Sequence, residues 1–125
     1  MVVDVLGVEQ ETDRLFHALA DATRRDILRR AIDGEQSVSA LARNYAMSVA
    51  AVQKHVVVLE RAALVEKQRR GREQIVFTKI DTLRHAKRLL DQFEAQWRQR
   101  LDRFGEVLTR TTEQTTEQTT EGASK

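Results

Sequence analysis

The stretch from Ser48 to Leu59, Ser-Val-Ala-Ala-Val-Gln-Lys-His-Val-Val-Val-Leu, constrains the fold of this chain more than any other. Ser48 suits a helix N-cap, because its hydroxyl can accept a hydrogen bond from an unpaired N–H of the first turn. Val52, Val56 and Leu59 follow at spacings of 4 and 3, so they share one stripe of the helix and need a core to cover it. Ala51, Gln53, Lys54 and His55 are left on or beside the outward face, near the helix start. Directly upstream, Leu41, Ala42 and Tyr45 have the spacing of a short amphipathic helix, with Ala46-Met47 as the tight turn between. Two short helices joined this closely form a helix-turn-helix unit, in which the first presents the second.

The rest of the chain predicts what surrounds that pair. Residues 1–10 read as an extended or poorly ordered lead-in, and residues 11–108 as one domain. From Glu11, Leu15, Phe16, Leu19 and Ala20 mark the apolar face of a first helix. Asp21 caps a second, with Ala22, Ile27, Leu28, Ala31 and Ile32 facing inward and Gly34 at its end. Ser37 or Ser39 caps the third, which reaches Tyr45. After Leu59, the β-prone runs Leu64-Val65 and Ile75-Val76-Phe77 flank Arg69-Arg70-Gly71-Arg72, a hairpin signal with glycine near its tip.

Asp81 caps the last and longest helix, along which Leu83, Ala86, Leu90, Phe93, Trp97, Leu101, Phe104 and Leu108 approach a heptad seam. Over residues 81–108 that helix is roughly 40 Å long, more apolar stripe than so small a domain can cover. The excess, including Phe93, Trp97 and Leu101, is expected to pack against a second copy, helped by Leu15 and Phe16. For Trp97 at this spacing, packing is favoured over lining a ligand pocket. Residues 109–125 form a Thr/Glu/Gln-rich tail whose repeat from Thr111 has nothing apolar to bury, so disorder is expected. The expected class is mainly α with a small β-hairpin wing, a winged helix-turn-helix, dimeric through its first and last helices.

Composition removes several functions. The 125 residues include no cysteine, which excludes disulfides, thiolate metal sites and a cysteine nucleophile. No apolar run approaches the roughly 18 residues of a membrane span, and the start lacks a basic leader, so no membrane association and a cytoplasmic location are expected. There is no Gly-rich phosphate loop, Gly-x-Ser-x-Gly elbow or His-Glu-x-x-His motif, and His17, His55 and His85 fall on separate predicted helices. The chain is not expected to be an enzyme, and no cofactor is implied.

The charge pattern favours double-stranded DNA as partner. Residues 36–80 hold 8 basic and 3 acidic side chains, a local net charge of +5 in a chain whose total is +2. Clustered at one tip, Arg69, Arg70 and Arg72 repel one another unless an anion lies near, and a phosphate backbone supplies one. The helix over 48–60 would then enter the major groove, with the wing 69–73 on the backbone. Gln53 can bond adenine and Lys54 can reach guanine or phosphate, whereas His55 reads equally as a base contact or as a residue holding its helix in place. The competing reading is a protein-interaction module or antitoxin-like adaptor that has the winged-helix shape without specific DNA binding.

Several ordered blocks carry a family resemblance: Leu19-Ala20-Asp21-Ala22-Thr23-Arg24-Arg25-Asp26-Ile27-Leu28, Ser39-Ala40-Leu41-Ala42, Met47-Ser48, Val52 through Leu59, Ala63-Leu64-Val65 and Arg70-Gly71-Arg72. Across residues 12–108 the chain resembles the ArsR-type winged-helix repressors, in a branch without the metal-binding cysteines. The resemblance implies helix-turn-helix DNA binding by a homodimer joined through its first and last helices and repression of its own or a neighbouring operon, and the two-fold symmetry of such a dimer predicts a palindromic operator. On that pattern Ser48, Ala51, Gln53, Lys54 and His55 match recognition-helix positions, and Arg70 and Arg72 match the wing. Where metal-sensing members carry a cysteine pair, this chain has Ser39, Leu41, Ala42 and Arg43, and Asp81 with His85 reads as a cap and a surface imidazole, so no metal is expected. Ala63 stands where the family commonly has glycine. No small-molecule effector follows from these residues.

Overall fold

The chain's elements follow as α1 (Val2–Leu19), α2 (Ala22–Asp33), β1 (Gln36–Ser37), α3 (Val38–Ala42), α4 (Val49–Arg61), β2 (Val65–Arg70), β3 (Glu73–Thr78) and α5 (Ile80–Ala123). This computed structural model describes residues 2–123, with side chains for residue 7 and residues 9–113. It divides into two units, residues 1–87 and residues 88–125.

In the first unit the helix starts follow from side-chain oxygens. Asp21 accepts from the Arg24 N–H at 3.0 Å, Ser37 from Ala40 at 3.0 Å and Ser48 from Ala51 at 3.1 Å, each relieving an N–H that a first turn leaves unpaired. Of the two serines offered for α3, Ser37 is the cap. The Arg24 side chain closes the other end of α1, donating to the carbonyls of Ala18 and His17 at 2.9 Å each, while Arg25 reaches Leu19 O at 2.8 Å. These basic residues therefore satisfy carbonyls that a helix C-terminus cannot satisfy itself.

The core joins Leu15 and Ala18 of α1 to Ile27, Leu28 and Ala31 of α2, Val38, Leu41 and Ala42 of α3, and Val52, Val56 and Leu59 of α4, with Ala62, Leu64, Val65, Val76 and Ala86 completing it. The sheet is antiparallel in the order β1-β3-β2. Hairpin pairing runs from Val65 opposite Thr78 to Arg70 opposite Glu73, leaving Gly71-Arg72 as a two-residue loop. Only Gly71 of that loop has a positive φ, 62°, the pattern of a type II′ turn, which needs glycine first.

Several expectations change here. The first helix starts at Val2, ahead of the expected Glu11, and ends at Leu19, leaving Ala20 exposed in the turn. Ala22 and Ile32 are exposed, the latter at 56%, because they sit at the two ends of α2 beyond the elements that cover its middle. The third helix stops at Ala42 rather than Tyr45, and the segment before it pairs as β1 with β3, a strand too short to carry a period in sequence. Asp81 lies in the first turn of α5, not at its cap.

Leu15, expected at a dimer contact, is 1% exposed inside its own unit, and Phe16 packs partly buried against the same core. The second unit is helix. Its apolar residues Phe93, Trp97 and Leu101 are exposed at 60, 56 and 49%, and Arg98 pairs with Glu94 one turn back. No proline interrupts α5, so the tail expected to be disordered continues as helix to Ala123, with the Thr109, Thr111 and Thr112 hydroxyls donating to carbonyls four residues earlier at 2.9 Å. Residues 124 and 125 of that tail lie outside the described residues.

Candidate nucleic-acid interface

The site grows from the closure of α4 onto its neighbours. With Val52, Val56 and Leu59 buried, helical geometry turns the start of the opposite face outward, and Ser48 and Lys54 are exposed there. Ala51 and Gln53 are half-buried at its edge. Between the start of α4 and the hairpin lies a cleft of about 330 Å³, lined by Val38, Ser39, Val49, Gln53, Arg69, Arg72, Glu73 and Gln74. Across it Gln53 Nε2 donates to Gln74 Oε1 at 3.3 Å. Helix and wing thus present one continuous surface, with two guanidiniums at its edge.

The expected DNA residues are not equivalent. Arg69 and Arg72 are exposed, and Arg69 Nε also reaches the carbonyl of Gly71 at 3.3 Å. Arg70 points elsewhere: its guanidinium meets both carboxylate oxygens of Glu35, at 2.6 and 3.4 Å, and lies 5.2 Å from the centre of the Phe77 ring. The pair is half exposed, so solvent screens it, and Glu35 is a carboxylate within the chain that competes for this guanidinium. His55 is half-buried against the start of α2, with Nδ1 3.4 Å from Arg24 Nη1 and 3.8 Å from Asp21 Oδ2. An arginine only donates, so a bond to it needs an unprotonated Nδ1, whereas pairing with Asp21 needs a protonated one; either contact ties the ring to α2 and its cap. Of the two readings of His55, this geometry serves the one in which it holds the helix.

Behind the site, Tyr45 fastens the turn after α3 to α2. Its hydroxyl donates to Asp26 Oδ2 at 2.5 Å, and Arg30 Nε bonds the same oxygen at 2.8 Å. Burial, followed by the adjoining Asp26 carboxylate, pushes the Tyr45 phenol up to about 12. The Tyr45 hydroxyl first, then Arg30, holds the Asp26 carboxyl below its usual range. Asp21 is likewise lowered, chiefly by the Arg24 N–H it caps.

Sequence reading missed Gln74 and Glu35. Their partners lie 21 and 35 residues away, and nothing local marks either residue. Asp81 and His85 are not brought together with other ligands. Asp81 sits exposed 3.9 Å from Arg84, His85 Nε2 lies 3.4 Å from Thr12 Oγ1, and among the described residues no group of three or more His, Cys, Asp or Glu could hold a metal ion. Among the described residues, too, no helix is long and apolar enough to cross a membrane.

Known proteins resemble this chain in sequence and fold. A helix-turn-helix domain family matches residues 19–68. The HTH-type transcriptional regulator Rv2034 of Mycobacterium tuberculosis is 42% identical over 60 residues, 48% of this chain, and the match spans only 56% of that protein's length. An ArsR-like transcriptional regulator from Rhodococcus sp. RHA1 superposes with a TM-score of 0.73 at 32% identity, covering 82% of this chain and 94% of that one. The homodimeric winged helix-turn-helix DNA-binding domain of Mb0332 from Mycobacterium bovis matches at a TM-score of 0.60 and 24% identity over 71% of this chain and 83% of its own, a likeness of fold. Since nearly the whole of the Rhodococcus regulator aligns at that identity, this chain belongs to the ArsR-type winged helix-turn-helix family, whose members are transcriptional regulators and not enzymes.

Proposed function

We propose that this chain is a homodimeric, sequence-specific DNA-binding repressor of its own or a neighbouring operon, acting in the cytoplasm. The observation that carries the reading is the shared surface of α4 and the wing, where Gln53 and the cations Arg69 and Arg72 border one cleft. Residues 48–60 enter the major groove with Ser48, Ala51, Gln53 and Lys54 toward the bases, and the wing 69–73 grips the phosphates. His55 keeps α4 against α2, and Arg70 braces the wing through Glu35. Phosphate contacts set affinity and register, while the base edges set the sequence read.

A single winged helix reads only a half-site. The exposed Phe93, Trp97 and Leu101 on α5 supply an apolar face for a second copy, consistent with the homodimeric description of the Mycobacterium bovis domain. A two-fold pair sets two recognition helices about one DNA turn apart, on a palindromic operator. The test is fluorescence anisotropy of a duplex from upstream of the chain's own gene against a scrambled duplex, over a salt series. Preferential binding that persists at about 150 mM salt is expected. Equal binding of the two duplexes that collapses with salt would overturn specificity for that site, and no binding even at low salt would overturn DNA recognition altogether.

A further inference from the structure

Resting on the reading that α4 meets bases, we propose that Gln74 of β3 is a positioning residue that orients the amide of Gln53 toward an adenine, and so sets specificity at one base pair of each half-site. The hydrogen bond from Gln53 Nε2 to Gln74 Oε1, 3.3 Å long, joins the reading helix to the wing strand. Both side chains are half-buried in the cleft whose edge carries Arg69 and Arg72.

A free glutamine can present either end of its amide to a groove, because its oxygen and nitrogen ends are nearly alike in shape. Gln74 couples that choice to the wing. With its Oε1 toward the helix, as here, the nitrogen end of Gln53 is held toward the wing, and reversing the Gln53 amide alone would set two acceptors against each other. One N–H of Gln53 is engaged by Gln74, leaving one N–H and the carbonyl oxygen. That pair is what adenine requires, with N7 accepting and the N6 amino group donating. Guanine offers acceptors at both N7 and O6, which leaves the Gln53 oxygen without a donor. The orientation exists before contact, so less side-chain freedom is lost on binding. The backbone of Gln74 is held by the hairpin, where it stands opposite Arg69 in the register. The wing thus orients the reader as well as carrying cations.

The experiment is in vitro selection with the full chain on duplexes randomised over about 20 base pairs, enough for two half-sites one turn apart. The wild type is compared with Gln53→Ala, Gln74→Ala and Gln74→Glu, and thermal unfolding of each variant reports that it is folded. The wild type is expected to select A·T at one position of each half-site, and Gln53→Ala to erase that preference. Gln74→Ala should reduce it at the same position from roughly tenfold to about twofold, leaving other positions unchanged. Gln74→Glu, whose carboxylate still accepts from Gln53, should retain it. If Gln74→Ala keeps the full preference that Gln53→Ala erases, or weakens every duplex equally, this inference alone falls. A wild type without base preference at any position removes the DNA-reading proposal and this inference together.

Discussion

Along α4, Val52, Val56 and Leu59 are fully buried, whereas along α5 Phe93, Trp97 and Leu101, at similar helical spacing, keep 49–60% of their surface exposed. Period alone does not distinguish them, because both stripes satisfy the same geometric rule. The difference lies in what the chain brings to each. The α4 stripe meets α1, α2, α3 and β2 within residues 1–87, and at the start of α5 Ala86 joins that core with Leu83 packed against it. A buried stripe therefore reports the fold of one protomer, and an exposed one reports a surface that association can cover.

The largest effect should come from breaking the closed stripe. Leu59→Ala removes a fully buried side chain, and a loss of about 2–5 kcal/mol of stability is expected from lost transfer energy plus the remaining cavity. Chemical denaturation followed by circular dichroism measures it, and a loss well under 1 kcal/mol would mean that the α4 stripe is not the centre of the core. Breaking the open stripe should act differently. Trp97→Ala is expected to weaken self-association by roughly thirtyfold, about 2 kcal/mol, as for a central aromatic anchor. Sedimentation over a concentration series reads this directly, and an unchanged monomer–dimer equilibrium would place any association elsewhere.

What the sequence made legible follows the same division. The caps at Asp21 and Ser48, the α4 stripe and the hairpin tip were readable because each depends on residues a few positions apart. Less legible was anything fixed by distant partners. Leu15 looked like a dimer residue because an apolar position on a helix does not say which body covers it, and the fold of its own unit does. Glu35, from the segment before β1, lies 2.6 Å from Arg70, a partner that the local sequence does not announce. The helical backbone of the Thr/Glu/Gln segment was missed because composition signals how little a segment can bury, and says less about continuity with a helix that precedes it.

A smaller effect should follow from loosening α3 without altering either stripe. Tyr45→Phe deletes the hydrogen bond to Asp26 and is expected to cost about 1–2 kcal/mol at neutral pH. The pH dependence gives the more specific reading. Because the folded-state pKa of Asp26 is lowered, its contribution is present above about pH 4 and is lost as pH falls through the folded value. The Tyr45 pKa is raised to about 12, so its contribution is complete below the ordinary phenol value and is lost as pH rises toward about 12. Tyr45→Phe should thus flatten the alkaline limb and make the acid limb shallower, where Arg30 still holds Asp26. Identical limbs in wild type and variant would detach this pair from folding.

The smallest expected effect tests whether the two stripes are independent. Ala63, just past the end of α4, has φ 58°, in the left-handed region that a Cβ disfavours. It is held there because its N–H bonds Glu60 O at 2.9 Å and the Leu64 N–H bonds Leu59 O at 3.0 Å, the paired bonds of a Schellman closure, with Leu59 and Leu64 both buried. Glycine takes this conformation without the Cβ clash but has more freedom to lose on folding, so Ala63→Gly should stabilise by about 0.5–1 kcal/mol. The substitution changes neither apolar face. Measured by thermal unfolding in the wild type and again in Trp97→Ala, the gain should be the same in both if the closure of α4 and the cover of α5 are separate events. A gain present in one background and absent in the other would show that association through α5 reaches back into the end of the reading helix, and the contrast between a closed and an open stripe would then have to be drawn on the dimer instead of the protomer.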